Sequence, residues 1–189
     1  MKIESPEELL VNIATVLEKL KIRYFVTGGF AVSVWGRPRA TFDIDIVIQL
    51  IERQVNDLIK ALRALSKASY IDEDMARQAI KSKREFNFID ASTGLKIDFI
   101  VGPDDEFTRL KFQRRKSKTI SGQKVYFISP EDLILSKLLW YQESLSSRQL
   151  EDVESIIKIS GENLDWHYLE QWARQLEVWG TLRGLREKM

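Results

Sequence analysis

The stretch TFDIDIVIQL, residues 41–50, alternates polar and apolar side chains along its length. Asp43 and Asp45 share one side of an extended strand, while Phe42, Ile44 and Ile46 share the other. This period of two predicts a strand with one face in a hydrophobic core. Aspartate is a poor strand former, so two aspartates on the second face need an explanation.

A bound cation would explain the pair of aspartates. Side chains at positions i and i+2 of a strand lie about 6.5–7 Å apart on one face, so both carboxylates can reach one cation. Without a cation, two ionised carboxylates this close repel each other. Their hard oxygen atoms suit Mg²⁺ or Mn²⁺. The alternative for Asp43 and Asp45 taken alone is a solvated strand face with two surface carboxylates.

A third carboxylate strengthens the metal hypothesis. EFNFID and LKIDFIV, residues 85–90 and 95–101, predict two strands of a hairpin joined by the turn ASTG. Asp98 lies in the middle of the second strand, where a charge without a partner is costly. Asp90 is the competing candidate, but it precedes the turn, and a turn-capping role explains it. We therefore favour Asp98.

A pair of glycines lies upstream in YFVTGGFAV, residues 24–32, between a predicted strand and a predicted helix. Glycines at such a turn let the backbone approach a ligand closely. The N-terminus of the following helix offers free N–H groups and the positive end of the helix dipole, which suit a phosphate. Taken alone, Gly28-Gly29 is better explained as a tight turn.

The remaining patterns predict an α+β chain. Ser5, Pro6 and Glu8 predict a capped helix start, and further helices are expected at residues 51–65 and about 73–82. Strands are expected at residues 22–26 and 124–128, and nearly everything after residue 129 has a helical pattern. We predict a mixed-sheet domain over residues 1–128 and a helical C-terminal segment over residues 129–189, whose tryptophans pack against the sheet or a partner chain.

Composition excludes several classes of site. The 189 residues include no cysteine and a single histidine, so disulfides, thiolate catalysis, cysteine zinc sites and histidine-rich metal sites are excluded. The formal net charge of +1 gives no global field toward nucleic acid or an anionic membrane. With no membrane-spanning run and no signal peptide, we expect a cytoplasmic protein. The basic run RLKFQRRKSK, residues 109–118, is read either as a grip on a nucleic-acid backbone or as a solvated loop or strand edge.

Together, VTGG, FDIDI and KIDFI, in this order and spacing, resemble the polymerase-β-like nucleotidyltransferase superfamily. The longer stretch GGFAVSVWGRPRATFDIDI is similar to the small nucleotidyltransferases that include the AbiEii-type toxins of bacterial toxin–antitoxin systems. That subgroup often continues with a helix like ISPEDLILSKLLWYQE and then an Arg and an Asp, here Arg148 and Asp152. The resemblance covers about residues 20–157.

The resemblance implies a polymerase-β-like nucleotidyltransferase fold and a set of site residues. Asp43 and Asp45 would hold two Mg²⁺ or Mn²⁺ ions, and Asp98 would hold the catalytic one and could act as general base. The nucleotide-binding residues it implies, for a nucleoside triphosphate such as ATP, are Gly28, Gly29, Thr27, Arg39, Thr41 and Lys137. Two of these readings have local alternatives: Lys137 could snorkel along an apolar helix face, and Arg148 with Asp152 could be an ordinary surface pair.

The leading function is therefore an Mg²⁺-dependent nucleotidyltransferase, whose acceptor could be tRNA, a protein side chain or a small molecule. A cognate antitoxin is the implied protein partner, and no membrane is expected. The alternative is a non-catalytic nucleotide-binding or interaction module of a toxin–antitoxin-like pair. A third reading, a metal-dependent phosphohydrolase, is weakened by the single histidine.

Overall fold

The computed structural model of the chain describes residues 5–41, 43–66, 69–91 and 93–188. Within these residues, seven strands form one mixed sheet in the order β3-β4-β5-β2-β1-β7-β6. The strands are β1 (Tyr24–Val26), β2 (Asp43–Ile48), β3 (Ser69–Ile71), β4 (Glu85–Asp90), β5 (Leu95–Val101), β6 (Lys116–Ile120) and β7 (Gln123–Phe127). This arrangement confirms the predicted α+β class with a mixed sheet.

Helices fill the connections and the whole C-terminal part. They are α1 (Pro6–Lys19), α2 (Gly28–Trp35), α3 (Val55–Leu65), α4 (Glu73–Ser82), α5 (Glu106–Arg114), α6 (Pro130–Ser144), α7 (Ser147–Ser160), α8 (Trp166–Gln175) and α9 (Trp179–Glu187). In the described part of the chain, no helix is both long enough and apolar enough to cross a membrane.

Local sequence signals set many of these boundaries. The Ser5 hydroxyl accepts the Glu8 N–H at 3.1 Å, and the Ser129 hydroxyl accepts the Asp132 N–H at 3.1 Å, as N-cap residues do. The predicted hairpin is confirmed, because β4 and β5 pair antiparallel from Glu85 opposite Ile100 onward. Phe42 and Ser92, which belong to the predicted strand and turn, lie outside the described residues.

Three elements were not predicted from sequence. β3 has only three residues, and β6 is an almost wholly exposed edge strand. α5 lies in a stretch of sequence that resembles a basic loop. None of the three therefore shows the repeating pattern of apolar residues from which a strand or helix is predicted. The basic run at residues 109–118 is consequently divided between the end of α5 and the start of β6.

The core is shared between the sheet and the C-terminal helices. Buried apolar side chains of the described residues form one cluster that includes Phe25 and Phe99 of the sheet, Leu133 of α6 and Trp172 of α8. Trp172 stacks on Phe107 of α5 with ring centroids 5.1 Å apart, as predicted for the C-terminal tryptophans. Strands end at Phe127 and helices resume at Pro130, but a division into two domains there stays a prediction.

Candidate active site

The predicted carboxylates lie in one row of the sheet. β2 and β5 are parallel neighbours, and their register places Asp45 opposite Asp98 and Asp43 opposite Lys96. Directly opposed residues point to the same face of a sheet, so all three aspartates share a face. Asp43 and Asp45 are half-buried, and Asp98 is 7% exposed. The structure therefore brings together the three aspartates that the sequence singled out, and leaves Asp90 elsewhere, buried and bonded to Ser66 and Thr93.

The environment of Asp98 is asymmetric. Its Oδ2 atom forms an ion pair with Lys96 Nζ at 2.7 Å. Its Oδ1 atom is buried and has no hydrogen-bond partner within the described residues, and the same is true of Oδ1 of Asn87. Asn87 lies directly opposite Asp98 on β4, hence on the same face. Two oxygen acceptors without donors therefore lie beside the row of aspartates.

The carboxylate of Asp45 is held in a strongly unfavourable environment for charge. Burial, and then the neighbouring charges of Asp43 and Asp98, raise the pKa of Asp45 to about 6. The nearby ammonium groups of Lys137 and Lys96 act in the opposite direction but do not offset this. A bound cation would relieve the same repulsion.

The two glycines fit directly against the acidic strand. Gly28 begins α2 with φ +60°, and a Cβ atom there would collide with Oδ2 of Asp45. A Cβ at Gly29 would lie 2.8 Å from the hydroxyl oxygen of Thr41. The first turn of α2, whose N–H groups lack intrahelical partners, consequently starts beside the carboxylates. Close packing on Asp45 thus requires glycine at Gly28, whether or not a ligand binds.

Two threonines, Thr27 and Thr41, form hydrogen bonds with the acidic strand β2. Thr27 is buried, and its N–H donates to the Asp45 carbonyl oxygen at 2.9 Å, without its side chain capping α2. The Thr41 hydroxyl donates to Oδ1 of Asp43 at 3.0 Å. Both predicted nucleotide-binding threonines therefore lie at the site, where they position Asp43 and the start of α2.

Arg39 and Lys137, both predicted to bind the nucleotide, meet at one carboxylate. Asp152 of α7 accepts two hydrogen bonds from Arg39, at 2.8 and 3.0 Å. It also forms an ion pair with Lys137 Nζ at 2.8 Å. Asp152 and Lys137 are each 3% exposed. The ammonium group of Lys137 therefore neither reaches solvent nor lies free in a cleft, because it is buried in an ion pair with Asp152.

The reading of Arg148 and Asp152 as a surface pair is wrong. Arg148 is exposed, and in the described part of the chain its side chain makes no ion pair with Asp152. Burial would raise the pKa of Asp152, but hydrogen bonds from Arg39 and Lys137 outweigh it, and the pKa lies below its usual range. The missed signal is helical spacing, since Asp152 shares the buried side of α7 with Val153 and Ile156.

No three acidic or histidine side chains among residues 5–41, 43–66, 69–91 and 93–188 are already arranged around one point as cation ligands. Two of the three aspartates already have a protein partner on one oxygen atom. Lys96 occupies one oxygen of Asp98, and Thr41 occupies one oxygen of Asp43. The Lys96 side chain is 38% exposed, so it can move aside toward solvent.

The amino-acid sequence of the chain matches a known protein family. A family model described as Nucleotidyl transferase AbiEii toxin, Type IV TA system, matches residues 9–179. No curated protein sequence matches the chain. The match to the family model confirms the resemblance seen in the sequence.

Solved structures share the fold at low sequence identity. The antibiotic-resistance factor ANT(2″)-Ia has a TM-score of 0.60 at 13% identity, covering 97% of this chain and 97% of that chain. The lincosamide antibiotic adenylyltransferase LnuA has a TM-score of 0.54 at 16% identity, covering 84% of this chain and 99% of that chain. An antigenic nucleotidyltransferase-like protein from Paracoccidioides brasiliensis has a TM-score of 0.53 at 21% identity, covering 81% and 74%. These similarities confirm the predicted nucleotidyltransferase fold.

Proposed function

This chain belongs to the AbiEii family of nucleotidyl transferases, and we propose that it moves a nucleoside monophosphate from a nucleoside triphosphate to an acceptor hydroxyl at the row of aspartates. One observation carries the proposal: Asp45 and Asp98 are direct cross-strand partners, with Asp43 alongside and the start of α2 packed on Asp45. Carboxylates beside a helix N-terminus suit a reaction at a polyphosphate.

We propose Mg²⁺ or Mn²⁺ as the cofactor, held by Asp43, Asp45 and Asp98. The side chains fit such an ion because the buried Oδ1 atoms of Asp98 and Asn87 are oxygen acceptors without a donor. The raised pKa of Asp45 also points to a deficit of positive charge. When bound, a divalent cation stabilises the negative charge that develops on the transferred phosphoryl group. Lys96 would leave Asp98 on binding.

The triphosphate is proposed to lie at the first turn of α2. The backbone N–H groups of Gly28 and Gly29 would donate to its oxygen atoms, because neither residue has a side chain in the way. Arg39 lies beside Gly29, and its Nη1 is 3.3 Å from the position a Cβ would take there. Asp152 orients Arg39 from behind, and Lys137 compensates the charge of Asp152.

In the proposed reaction the acceptor hydroxyl oxygen forms a bond to the α-phosphorus, and the bond from that phosphorus to the oxygen bridging to the β-phosphate breaks. Pyrophosphate leaves with the electron pair of the broken bond. The hydroxyl proton passes to a carboxylate, the role that we propose for Asp98. Asp43 and Asp45 remain charged and keep the reacting groups in position.

The experiment follows label from nucleoside triphosphates radiolabelled at the α-phosphate, incubated with the protein, Mg²⁺ or Mn²⁺, and total cellular RNA and protein. The wild type is expected to transfer label, whereas Asp45→Asn and Asp43→Asn are expected to lose transfer at least about 10²-fold while remaining folded. Asp57→Asn, an exposed aspartate of α3, is the matched control. Full turnover by either site variant would exclude the proposed metal site.

The same experiment addresses the remaining alternatives. The family description names a toxin of a toxin–antitoxin system, which makes a cognate antitoxin the protein partner that we propose. Mn²⁺ and triphosphate binding without transfer to RNA, protein or small hydroxyl compounds would instead favour the non-catalytic nucleotide-binding module. Asp43→Ala should then abolish binding without any activity being present.

A further inference from the structure

Lys96 lies within the row of aspartates. It precedes Asp98 by two residues on β5, and strand register places it directly opposite Asp43 on β2. Its neighbour on the other side is the apolar Ile89 of β4. All four side chains share one face of the sheet, because opposed residues, and residues two apart on a strand, point the same way. The sheet itself therefore brings a cation to the carboxylates.

The contact of Lys96 with the row is one-sided. Its Nζ atom lies 2.7 Å from Oδ2 of Asp98, and within the described residues no second carboxylate lies at ion-pair distance. Burial and the two other aspartates raise the pKa of Asp45, and the charges of Lys137 and then Lys96 act against them. One ammonium group thus offsets only part of the negative charge of three carboxylates.

Lys96 also leaves oxygen acceptors of the site unsatisfied. Oδ1 of Asp98 and Oδ1 of Asn87, its partner on β4, are buried, and each lacks a hydrogen-bond donor within the described residues. An ammonium group offers three donors from a single nitrogen, whereas Mg²⁺ takes an octahedral set of oxygen ligands. A divalent ion can therefore engage more of these oxygen atoms than Lys96 does.

Lys96 is held less firmly than Lys137, a second lysine near Asp45. Lys137 is 3% exposed, and its ammonium group is buried in the ion pair with Asp152 at 2.8 Å. The Lys96 side chain is 38% exposed, and its flexible stem lets the ammonium group turn into water. Lys96 is thus an exchangeable cation, whereas Lys137 is a fixed one.

From these observations we propose that Lys96 is a built-in competitor of the divalent cation, pairing with Asp98 in the metal-free protein and so lowering the affinity of the row for the ion. The inference rests on the metal site of the proposed function, and it adds a residue that sets the metal requirement of that site. Lys96 stabilises the carboxylates before the ion binds and turns to solvent afterwards. It is therefore neither a metal ligand nor a catalytic residue.

This role differs from that of an ordinary structural ion pair. Removing the ammonium group takes a favourable contact from the metal-free protein but takes a competitor from the metal-bound protein. Because an ion that binds only the folded state adds stability, a variant without Lys96 should gain more from a given Mn²⁺ concentration than the wild type does. A purely structural ion pair would lower stability with and without Mn²⁺ and leave the affinity unchanged.

The test is titration with Mn²⁺ alone, without triphosphate or acceptor, by isothermal calorimetry in about 0.15 M salt. Lys96→Met keeps the aliphatic stem and removes the charge. It should bind Mn²⁺ about tenfold more tightly than the wild type, as the loss of one partly exposed, charge-assisted hydrogen bond gives. Lys96→Arg should bind no more tightly than the wild type, because a guanidinium also pairs with a carboxylate. Without metal, Lys96→Met should unfold at lower urea than the wild type.

The matched control is Arg84→Gln, which removes one charge from an exposed side chain directly before β4. Arg84 lies three residues from Asn87, or about 10 Å along a strand. Its loss should change the Mn²⁺ affinity little, because exposed charges farther apart than about 8 Å are largely screened at this salt concentration. An equal gain in affinity by Arg84→Gln and Lys96→Met would assign the effect to net charge and overturn the proposal.

Two further results would overturn the proposal. They are unchanged or weaker Mn²⁺ binding by Lys96→Met, and no Mn²⁺ binding by either Lys96→Met or the wild type. If Lys96→Met does not fold, Lys96→Gln replaces it, since its amide keeps a neutral donor, and it should also tighten binding. Failure of the proposed function is a separate outcome. Mn²⁺ affinities in the expected order, with no label transferred to any acceptor, would count against the transfer reaction and leave the role of Lys96 standing.

Discussion

At the residue scale, the site is dominated by the proximity of carboxylates to each other and to backbone. Asp45 is pressed between Gly28 and Asp98, and its raised pKa of about 6 reports burial first and the charges of Asp43 and Asp98 second. Close packing and charge repulsion are thus concentrated on one side chain. Functional sites commonly retain close packing and charge repulsion of this kind although both lower stability.

The first prediction concerns Asp45 and pH. Its pKa rises from 3.8 to about 6 on folding, so the folded protein holds this proton more tightly, and stability is lost as pH rises from about 4 through about 6. Asp45→Asn should therefore unfold with a free energy higher by up to about 3 kcal/mol at pH 7.5 without divalent cations. The gain should vanish near pH 4. Urea unfolding at several pH values measures it, and an equal gain at every pH would contradict the explanation.

The second prediction compares two glycines with positive φ. Gly28 and Gly94 have φ of +60° and +72°, but a Cβ at Gly94 meets nothing within 4 Å, whereas one at Gly28 collides with Asp45. Gly94→Ala should cost about 1–2 kcal/mol of unfolding free energy from the backbone alone. Gly28→Ala should cost a further 1–3 kcal/mol, roughly, because Asp45 must move. Equal losses in urea unfolding would show that Asp45 yields freely.

At the element scale, α6 and α7 are fastened to the sheet part by buried charges. Asp152 of α7 binds Arg39 from the loop before β2 and Lys137 of α6. A second network joins α5, α6 and α8, in which Arg114 contacts Glu131 and Asp132, and the Tyr168 hydroxyl donates to Asp132 at 2.6 Å. Both networks cross from the sheet part to the C-terminal helices.

The third prediction tests the Asp152 network. Asp152→Asn leaves the buried ammonium of Lys137 without a counter-charge, so the unfolding free energy should fall by about 3 kcal/mol. Arg148→Gln, one turn earlier on the exposed side of α7, should change it by less than about 0.5 kcal/mol. Chemical denaturation of both variants measures the difference. Similar values for the two would mean that the ion pairs contribute little to stability.

At the scale of the whole molecule, the buried core crosses the expected boundary at residue 128. Leu133 and Leu138 of α6, and Trp172 of α8, belong to the same cluster as the strands. Four of the five tryptophans lie after residue 128, whereas the strands lie before it. Tryptophan fluorescence therefore reports mainly on the C-terminal part, whereas far-ultraviolet circular dichroism reports on helices on both sides of residue 128.

The fourth prediction follows from this shared core. Both signals should give the same midpoint in urea, because the C-terminal helices cannot melt while their apolar faces remain part of the sheet core. Separating the C-terminal helices from the sheet is therefore expected to unfold the whole chain. A fluorescence midpoint at clearly lower urea would instead support two domains divided near residue 128.

The amino-acid sequence by itself determined the acidic strand, the glycine pair, the hairpin carrying Asp98 and the capped helix starts, because each follows from a local period or a local hydrogen bond. Only the tertiary structure decided which distant groups meet. Asp152 reaches Arg39 across 113 residues, and Asn87 comes beside Asp98 through strand register. Contacts of this kind depend on how elements pack, and no local pattern encodes that packing.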